Sequence, residues 1–273
     1  MNLKNNVKDK FAEIKKSTIQ IFHIIDFKSE DTVNIEPFAS GVLVFVNEMY
    51  YLFSAGHVFN NVDVNTLGFL DPETGDIMQL DGNIAFIDPS IEGQNMGDIA
   101  VVKLSSETVD DLLSIGYEFY SVDISCLNHM LNGDSLYLIF GYPVSKSKPV
   151  YNTNILKREP LGLILEPCLD VKIYNRCGFK PNVNLLFHFH RNDLINEEGQ
   201  RASAPIPNGI SGCGVWHVDS EGVLKLVGIM FEWEHKESIM MGAILDLPME
   251  VVRLKFDRTS YKSPRSTSFI LNM

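Results

Sequence analysis

The sequence predicts an all-β protein of two antiparallel Greek-key β-barrels packed face to face, with a short C-terminal helix. Short apolar runs alternate with clusters of Gly, Pro, Asn and Asp along most of the chain, and few stretches show helical spacing of apolar residues. An acidic tract at 105–125 divides these runs into two groups. Closing each group into a barrel would remove the unpaired edge strands that an open sheet exposes.

In the first half, residues 4–16 carry apolar side chains at helical spacing and predict a short helix. The apolar run 18–27 then favours a strand. Runs 41–46 and 49–53 predict a β-hairpin, because only two residues separate them. Short segments broken by turn residues follow, and they lead to an apolar strand at 97–104 that opens with Gly-Asp.

The second half shows the same alternation of apolar runs and turns. The tract 191–207 is polar and predicts a loop, and 248–256 predicts a terminal helix. Strands are predicted at 135–140, 161–165, 169–174, 183–190, 214–218 and 223–232. We therefore expect an N-terminal barrel over 17–108, a connection over 109–124, a C-terminal barrel with its helix over 125–258, and terminal extensions at 1–16 and 259–273.

Composition limits the partners and the location. The chain has 273 residues, 45% of them hydrophobic, which is enough to bury a sizeable core. Its net charge of −12 argues against nucleic acid or an anionic membrane as a partner, because both bind basic surfaces. No apolar run is long enough to span a membrane, and no cleavable leader is recognised before residue 18. We expect a cytoplasmic protein.

The sequence indicates no metal and no cofactor. Nothing in it chooses among the possible pairings of Cys126, Cys168, Cys177 and Cys213, and none of these has the Cys-x-x-Cys spacing of a zinc site. The segment 188–190 (HFH) puts two imidazoles on one face of a strand, a spacing that suits a metal. No third ligand accompanies them.

The segment PNGISGCGV at 207–215 is the first candidate for chemistry. Its glycines allow a sharp turn that exposes the Ser211 hydroxyl and directs the N–H groups of Gly209 and Ser211 into one pocket. Acyl transfer needs such a hydroxyl beside two convergent donors. The motif alone is equally typical of a glycine-rich hairpin with a solvated serine.

A serine nucleophile needs a base and a group that orients the base. His57 follows a turn of small residues at the end of a predicted strand, where a side chain is both held and exposed. Asp98 opens a buried strand, where backbone and imidazole hydrogen bonds keep a carboxylate ionised. Taken singly, Asp98 is typical of a capped turn and His57 of an ordinary structural histidine.

Together, SAGHV at 54–58, GDIAVVKL at 97–104 and GISG at 209–212 resemble the trypsin-like (chymotrypsin-fold) serine peptidases. The chain order His, Asp, Ser is that of chymotrypsin and differs from the orders in subtilisins and α/β-hydrolases. Further likenesses are SGVLV at 40–44 and GYP at 141–143. The resemblance extends over roughly residues 17–258.

The resemblance implies a role for each candidate residue. Ser211 would attack the scissile carbonyl, and His57 would accept its proton and return it to the leaving amine. Asp98 would hold the imidazole, and the N–H groups of Gly209 and Ser211 would form the oxyanion hole. The triad would be assembled across the interface between the barrels.

The resemblance also implies where the substrate side chain would bind. The pocket floor would lie at Pro205 with Ile206 beside it, and Phe231 and Trp233 would line the pocket. Neither floor residue is acidic, so a preference for Lys or Arg has no support there. The bulk of Trp233 would favour a small or apolar side chain, or would block the pocket until a loop moves.

Two positions depart from the pattern. Ile210 stands where secreted digestive members carry an acid that receives a newly freed amino terminus, so activation by such an insertion is not expected. Cys213 stands where glycine is usual. It does not match the nucleophile of viral cysteine relatives, because Ser211 rather than glycine lies two residues before it. We expect Cys213 to be a small buried residue.

The sequence therefore predicts a serine endopeptidase that cleaves a protein or peptide. A cytoplasmic protease must be restrained, so we expect a narrow substrate range or an activating protein partner. The alternative is a non-catalytic binding module on the same scaffold, which the departures at Ile210 and Cys213 and the bulky strand at 231–233 favour. An esterase with the same chemistry is a third possibility.

Overall fold

A computed structural model describes residues 3–29, 32–60, 62–87, 97–149, 156–192, 194–196 and 200–256. The predicted extension 259–273 lies outside these residues. The helices are α1 Leu3–Lys16, α2 Ser106–Ser114, α3 Val171–Cys177 and α4 Asp246–Val251, which continues as a π-helical turn Val252–Phe256. Short 3₁₀ turns include Gly56–Val58, Val64–Thr66, Ile124–Cys126 and Val144–Lys146.

Eighteen strands are described. They are β1 Thr18–Ser29, β2 Thr32–Val46, β3 Met49–Ala55, β4 Leu67–Leu70, β5 Ile77–Gln79, β6 Gly82–Phe86, β7 Ile99–Leu104, β8 Tyr120–Ser121, β9 Leu136–Gly141, β10 Ser147–Pro149, β11 Leu156–Arg158, β12 Leu161–Pro167, β13 Asn184–His188, β14 Leu194–Asn196, β15 Arg201–Ala202, β16 Gly214–Val218, β17 Leu224–Glu234 and β18 Ile239–Ile244.

The first half folds into a curved sheet with the strand order β5-β4-β1-β2-β3-β7-β6. Neighbours along this path are antiparallel, and β8 adds to β2 in parallel. Its central side chains are apolar and fully buried, among them Ile19, Val42, Phe53 and Val101. The two residues between β2 and β3, Asn47 and Glu48, have φ of 48° and 61°, which is the geometry of a type I′ hairpin turn.

The second half closes into a barrel. Its strands follow the order β13-β18-β17-β16-β9-β12, and pairing of β12 with β13 joins the two ends into a ring of six. Trp216, Phe187 and Ile229 are fully buried within it. The predicted fold class is confirmed: the protein is mostly β, with a closed barrel, a half-barrel sheet and a short C-terminal helix.

The terminal helices each pack on the half of the chain to which they are not directly joined. On α1, the buried Phe11 lies beside Gly162 and has its ring centroid 6.3 Å from that of Phe140. At the other end of the chain, the ring of Phe256 lies 5.8 Å from that of Tyr51 in β3. The two helices therefore tie the two sheets together. No helix among the described residues is long and apolar enough to cross a membrane.

The prediction of a strand at 169–174 is wrong. Helix α3 begins there because the Asp170 carboxylate accepts a hydrogen bond from the Lys172 N–H, and Gly178 ends the helix in the left-handed conformation. The apolar Leu169 and Val171, which favoured a strand, are exposed. Several further elements were not predicted, among them α2 within the acidic connection, strands β14 and β15 within the expected loop at 191–207, and strand β18.

Candidate active site

The end of the β3–β7 ladder brings His57 and Asp98 together. In this antiparallel pair Ala55 lies opposite Ile99, and the next step is a hydrogen bond of 2.9 Å from the Gly56 N–H to the Asp98 carbonyl. The 3₁₀ turn Gly56–Val58, which carries His57, therefore begins directly beside Asp98, the residue before β7. Two residues far apart in the chain become neighbours through strand register alone.

One carboxylate oxygen of Asp98 fixes His57 at two points. The Asp98 Oδ2 lies 2.5 Å from the imidazole Nδ1 and accepts a second bond of 3.0 Å from the His57 backbone N–H. An ionised carboxylate only accepts, so Nδ1 carries the proton and Nε2 is left as the acceptor. This is the tautomer that a general base needs.

The segment Pro207–Gly212 forms a tight turn that carries Ser211. The Ile210 N–H bonds to the Pro207 carbonyl at 3.1 Å, and Gly212 has φ of +89°. A Cβ at Gly212 would collide with the Ser40 carbonyl and the Ser54 hydroxyl. Only glycine therefore fits at this position.

Two backbone N–H groups of this turn are available as donors. The Asn208 carbonyl accepts a bond of 2.8 Å from the Val144 N–H. Because the two ends of a trans peptide point in opposite directions, the Gly209 N–H points away from Val144. Neither this N–H nor that of Ser211 donates to any of the described residues. An oxyanion hole consists of such unpaired donors beside the nucleophile.

Ser211 and His57 line the same cleft, although they come from different sheets. Its volume is about 220 Å³, and its walls are His57, Pro207, Asn208, Ile210, Ser211, Met230, Phe231, Glu232, Trp233 and Met240. Phe231 and Trp233 are among these lining residues. Pro205 and Ile206 do not line the cleft, and Ile206 is largely exposed to solvent. Instead the turn itself, through Pro207 and Ile210, forms that wall.

A β-bulge shapes the wall opposite the turn. In the β17–β18 ladder Met230 pairs with Gly242 and Glu232 pairs with Met241, so Phe231 is the extra residue. The bulge leaves Phe231 buried and Glu232 exposed at the cleft. The Glu232 carboxylate has no cationic partner among the described residues. The cleft thus has a mixed lining of polar and apolar residues, with the exposed Glu232 carboxylate on one wall.

The other sequence candidates lie outside this chemistry. Cys213 is fully buried, and burial raises the pKa of its thiol to about 12, so it stays protonated. All four cysteines are free. The rings of His188 and His190 stack 6.1 Å apart. No group of three His, Cys, Asp or Glu within the described part of the chain is arranged to hold a metal.

The sequence did not reveal the parts played by Glu232, Met230 and Met240. The resemblance placed Glu232 on the strand at 231–233 that lines the pocket, but it gave the Glu232 carboxylate no role. Ser40 was noted only as part of a likeness, yet its hydroxyl bonds to the Gly209 carbonyl, 169 positions away. No local sequence pattern signals a contact at that separation.

No protein-family model and no curated protein matches the chain. Among solved structures it is similar to the scabies mite inactivated protease paralogue S-I1, with 12% identity and a TM-score of 0.54 over 88% of this chain and 93% of that one. It is also similar to the scabies mite inactivated protease paralogue S-D1, with 11% identity and a TM-score of 0.53 over 89% and 94%. At this identity the likeness establishes the fold. The chain therefore has a trypsin-like, chymotrypsin-type fold.

Proposed function

We propose that this protein is a trypsin-like serine endopeptidase that cleaves a protein substrate through an acyl-enzyme intermediate. One observation carries the proposal. A histidine held at Nδ1 by a carboxylate lies in the same cleft as a serine on a turn with two unpaired N–H donors. This combination serves acyl transfer and has no evident structural purpose.

Each residue would perform one step of the reaction. The Ser211 oxygen attacks the peptide carbonyl while His57 Nε2 takes the hydroxyl proton, and Asp98 stabilises the imidazolium. The carbonyl oxygen gains negative charge and accepts hydrogen bonds from the N–H groups of Gly209 and Ser211. His57 then gives the proton to the departing amine. A water molecule, activated by His57 in turn, releases the acyl group from Ser211.

The cleft supports a narrow substrate range. Its volume of about 220 Å³ is small, and the side chains of Met230, Phe231 and Met240 that border it are buried, so it has room for little more than one side chain. We further propose that the enzyme acts in the cytoplasm and that its substrate range, or a protein activator, limits its activity. The net charge of −12 makes nucleic acid and anionic membranes poor partners.

A non-catalytic binding module is the rival function. The two solved structures named above are inactivated protease paralogues, so in those proteins this scaffold is used without activity. The bulky residues Phe231 and Trp233 at the cleft also suit such a module. Against the rival stands the His57–Asp98 hydrogen bond, which a binding module has no reason to keep.

Peptide cleavage distinguishes the two functions. The purified protein and its Ser211→Ala variant are incubated with a proteome-derived peptide library, and new amino termini are identified by mass spectrometry. An endopeptidase produces a recurrent cleavage motif that is absent with the variant. The rival predicts no new termini from either protein. Matched ester and amide substrates separate the peptidase from an esterase, which would hydrolyse only the esters.

A further inference from the structure

Ser40 makes a hydrogen bond with every polar atom it has, and it is fully buried. Its hydroxyl donates to the Gly209 carbonyl at 2.8 Å and accepts from the Tyr142 N–H at 2.9 Å. Its N–H donates to the Ser211 carbonyl at 3.0 Å, and its carbonyl accepts from the Ser54 hydroxyl at 2.8 Å. Two of these four bonds therefore go to the turn that bears the nucleophile.

These two bonds hold the peptides next to the proposed oxyanion donors: the Gly209–Ile210 peptide lies between the two donor peptides, and the Ser211–Gly212 peptide follows the second. Gly209 has φ of +94° and no side chain, so its peptides rotate more easily than others. The Ser40 hydroxyl holds the carbonyl on one side of Gly209, and the Val144 N–H holds the Asn208 carbonyl on the other. With the carbonyls engaged in this way, the N–H groups of Gly209 and Ser211 remain available as donors.

The restraint crosses from one half of the molecule to the other. Ser40 belongs to β2, where it pairs with Gln20 of β1 in the first sheet. Gly209, Ser211 and Tyr142 belong to the second half of the chain. The conformation of the oxyanion turn thus depends on how the two sheets dock.

We propose that Ser40 is a positioning residue for acyl transfer: its buried hydroxyl fixes the Gly209–Ile210 peptide, which joins the two donor peptides, so that the oxyanion donors face the substrate. The inference rests on the proposed function and adds to it a residue that touches neither substrate nor reacting atoms. Removing the hydroxyl leaves two buried groups, the Gly209 carbonyl and the Tyr142 N–H, without their partner. The turn then relaxes, and the donors lose their alignment.

Ser54 provides the matched control. It is as fully buried as Ser40, and its hydroxyl makes one hydrogen bond, to the Ser40 carbonyl. It bonds to neither the Gly209 nor the Ser211 carbonyl. Ser54→Ala therefore removes a buried hydroxyl of the same size from the same region without releasing the oxyanion peptides.

The experiment measures the second-order rate of fluorophosphonate labelling against pH for the wild type, Ser40→Ala and Ser54→Ala, with thermal unfolding in parallel. For Ser40→Ala we expect labelling about tenfold to a hundredfold slower, since loss of one whole oxyanion donor costs about 10²–10³. The midpoint of its pH profile stays unchanged, because His57 is intact. For Ser54→Ala we expect nearly the wild-type rate despite a similar loss of stability.

A wild-type rate for Ser40→Ala overturns the inference, and so does equal slowing of both variants. If the wild type itself is not labelled, the proposed function fails. A crystal structure of Ser40→Ala then tests whether Ser40 positions the turn, without any measurement of activity. A rotated Gly209–Ile210 peptide in that structure supports the positioning role. An unchanged turn at 208–211 contradicts it.

Discussion

Adding one methyl group at Gly209 perturbs the oxyanion turn directly. Gly209 has φ of +94°, where residues with a Cβ are strained. An added Cβ would lie 2.8 Å from the Tyr142 carbonyl oxygen and equally close to Val144 N and Cγ2. Because two of these atoms belong to the backbone, the contact is relieved only by a shift of the turn itself.

The expected size of the effect follows from these contacts. A residue forced into the left-handed region costs about 1–3 kcal/mol of stability. Displacing one oxyanion donor slows the reaction about 10²–10³-fold, or about 3–4 kcal/mol in the transition state. Gly209→Ala is therefore expected to unfold at a lower temperature and to react with a fluorophosphonate at least a hundredfold more slowly than the wild type.

Gly178→Ala separates backbone strain from the effect on the site. Gly178 ends α3 with φ of +76°, and no atom lies within 4 Å of the position of its Cβ. This variant is expected to lose about 1 kcal/mol of stability and to keep the wild-type labelling rate. If Gly209→Ala is labelled as fast as Gly178→Ala, then the Gly209 N–H is not part of an oxyanion hole.

Two further predictions concern stability and specificity. Burial, together with the neighbouring His217, lowers the pKa of His129 to about 4. Between pH 6.5 and 4 the unfolded chain therefore binds a proton that the folded protein does not, and the free energy of unfolding decreases as the pH is lowered. Urea unfolding at pH 7 and at pH 4.5 measures this decrease. We expect it to be about 1–2 kcal/mol smaller in His129→Gln than in the wild type, and unchanged in the exposed control His235→Gln. An equal decrease in the two variants would contradict the prediction. Because the exposed Glu232 carboxylate borders the cleft and has no cationic partner in the part of the chain that the structure describes, Glu232→Gln should lower the preference for substrates with Lys over norleucine near the scissile bond about two- to fivefold. Competition assays with such peptide pairs test this, with the remote Glu221→Gln as control, and an unchanged preference would remove Glu232 from substrate recognition.

Local patterns in the sequence predicted most of the fold. The hairpin of β2 and β3 was visible because apolar runs flank two residues, and Asn47 is a residue that tolerates positive φ. The motifs that carry His57, Asp98 and Ser211 were visible because each occupies the end of a strand or a glycine turn. Periodicity and turn chemistry act over a few residues, so the sequence displays them directly.

The errors arose where tertiary contacts override local preference. Leu169, Val171 and Ile173 alternate as in a strand, yet the segment is helical. The helix places Tyr174 against β13, where the Tyr174 hydroxyl accepts a hydrogen bond from the Leu186 N–H. Helix α2 did carry a signal: its Ser105 cap bonds to the Thr108 N–H, and Val109 and Leu112 are buried at helical spacing. We interpreted the tract as a connection because it is acidic, and so the helix was not predicted.

The cleft was the least predictable part of the site. Family resemblance placed its floor at Pro205 and Ile206, whereas the walls come from Met230, Met240 and the turn itself. The bulge at Phe231 shifts the register of β17, and a shift of one residue exchanges the side chains that face the cleft. Sequence spacing does not reveal such a shift.

Active-site labelling tests the central claim most directly. The wild type, Ser211→Ala and His57→Ala are treated with a fluorophosphonate, and the site of any adduct is found by peptide mapping. The account predicts an adduct on Ser211 of the wild type, none on Ser211→Ala, and a rate at least 10⁴-fold lower for His57→Ala. An unmodified wild-type protein, or an adduct that forms equally well without His57, would contradict the proposal that this cleft is a serine peptidase site.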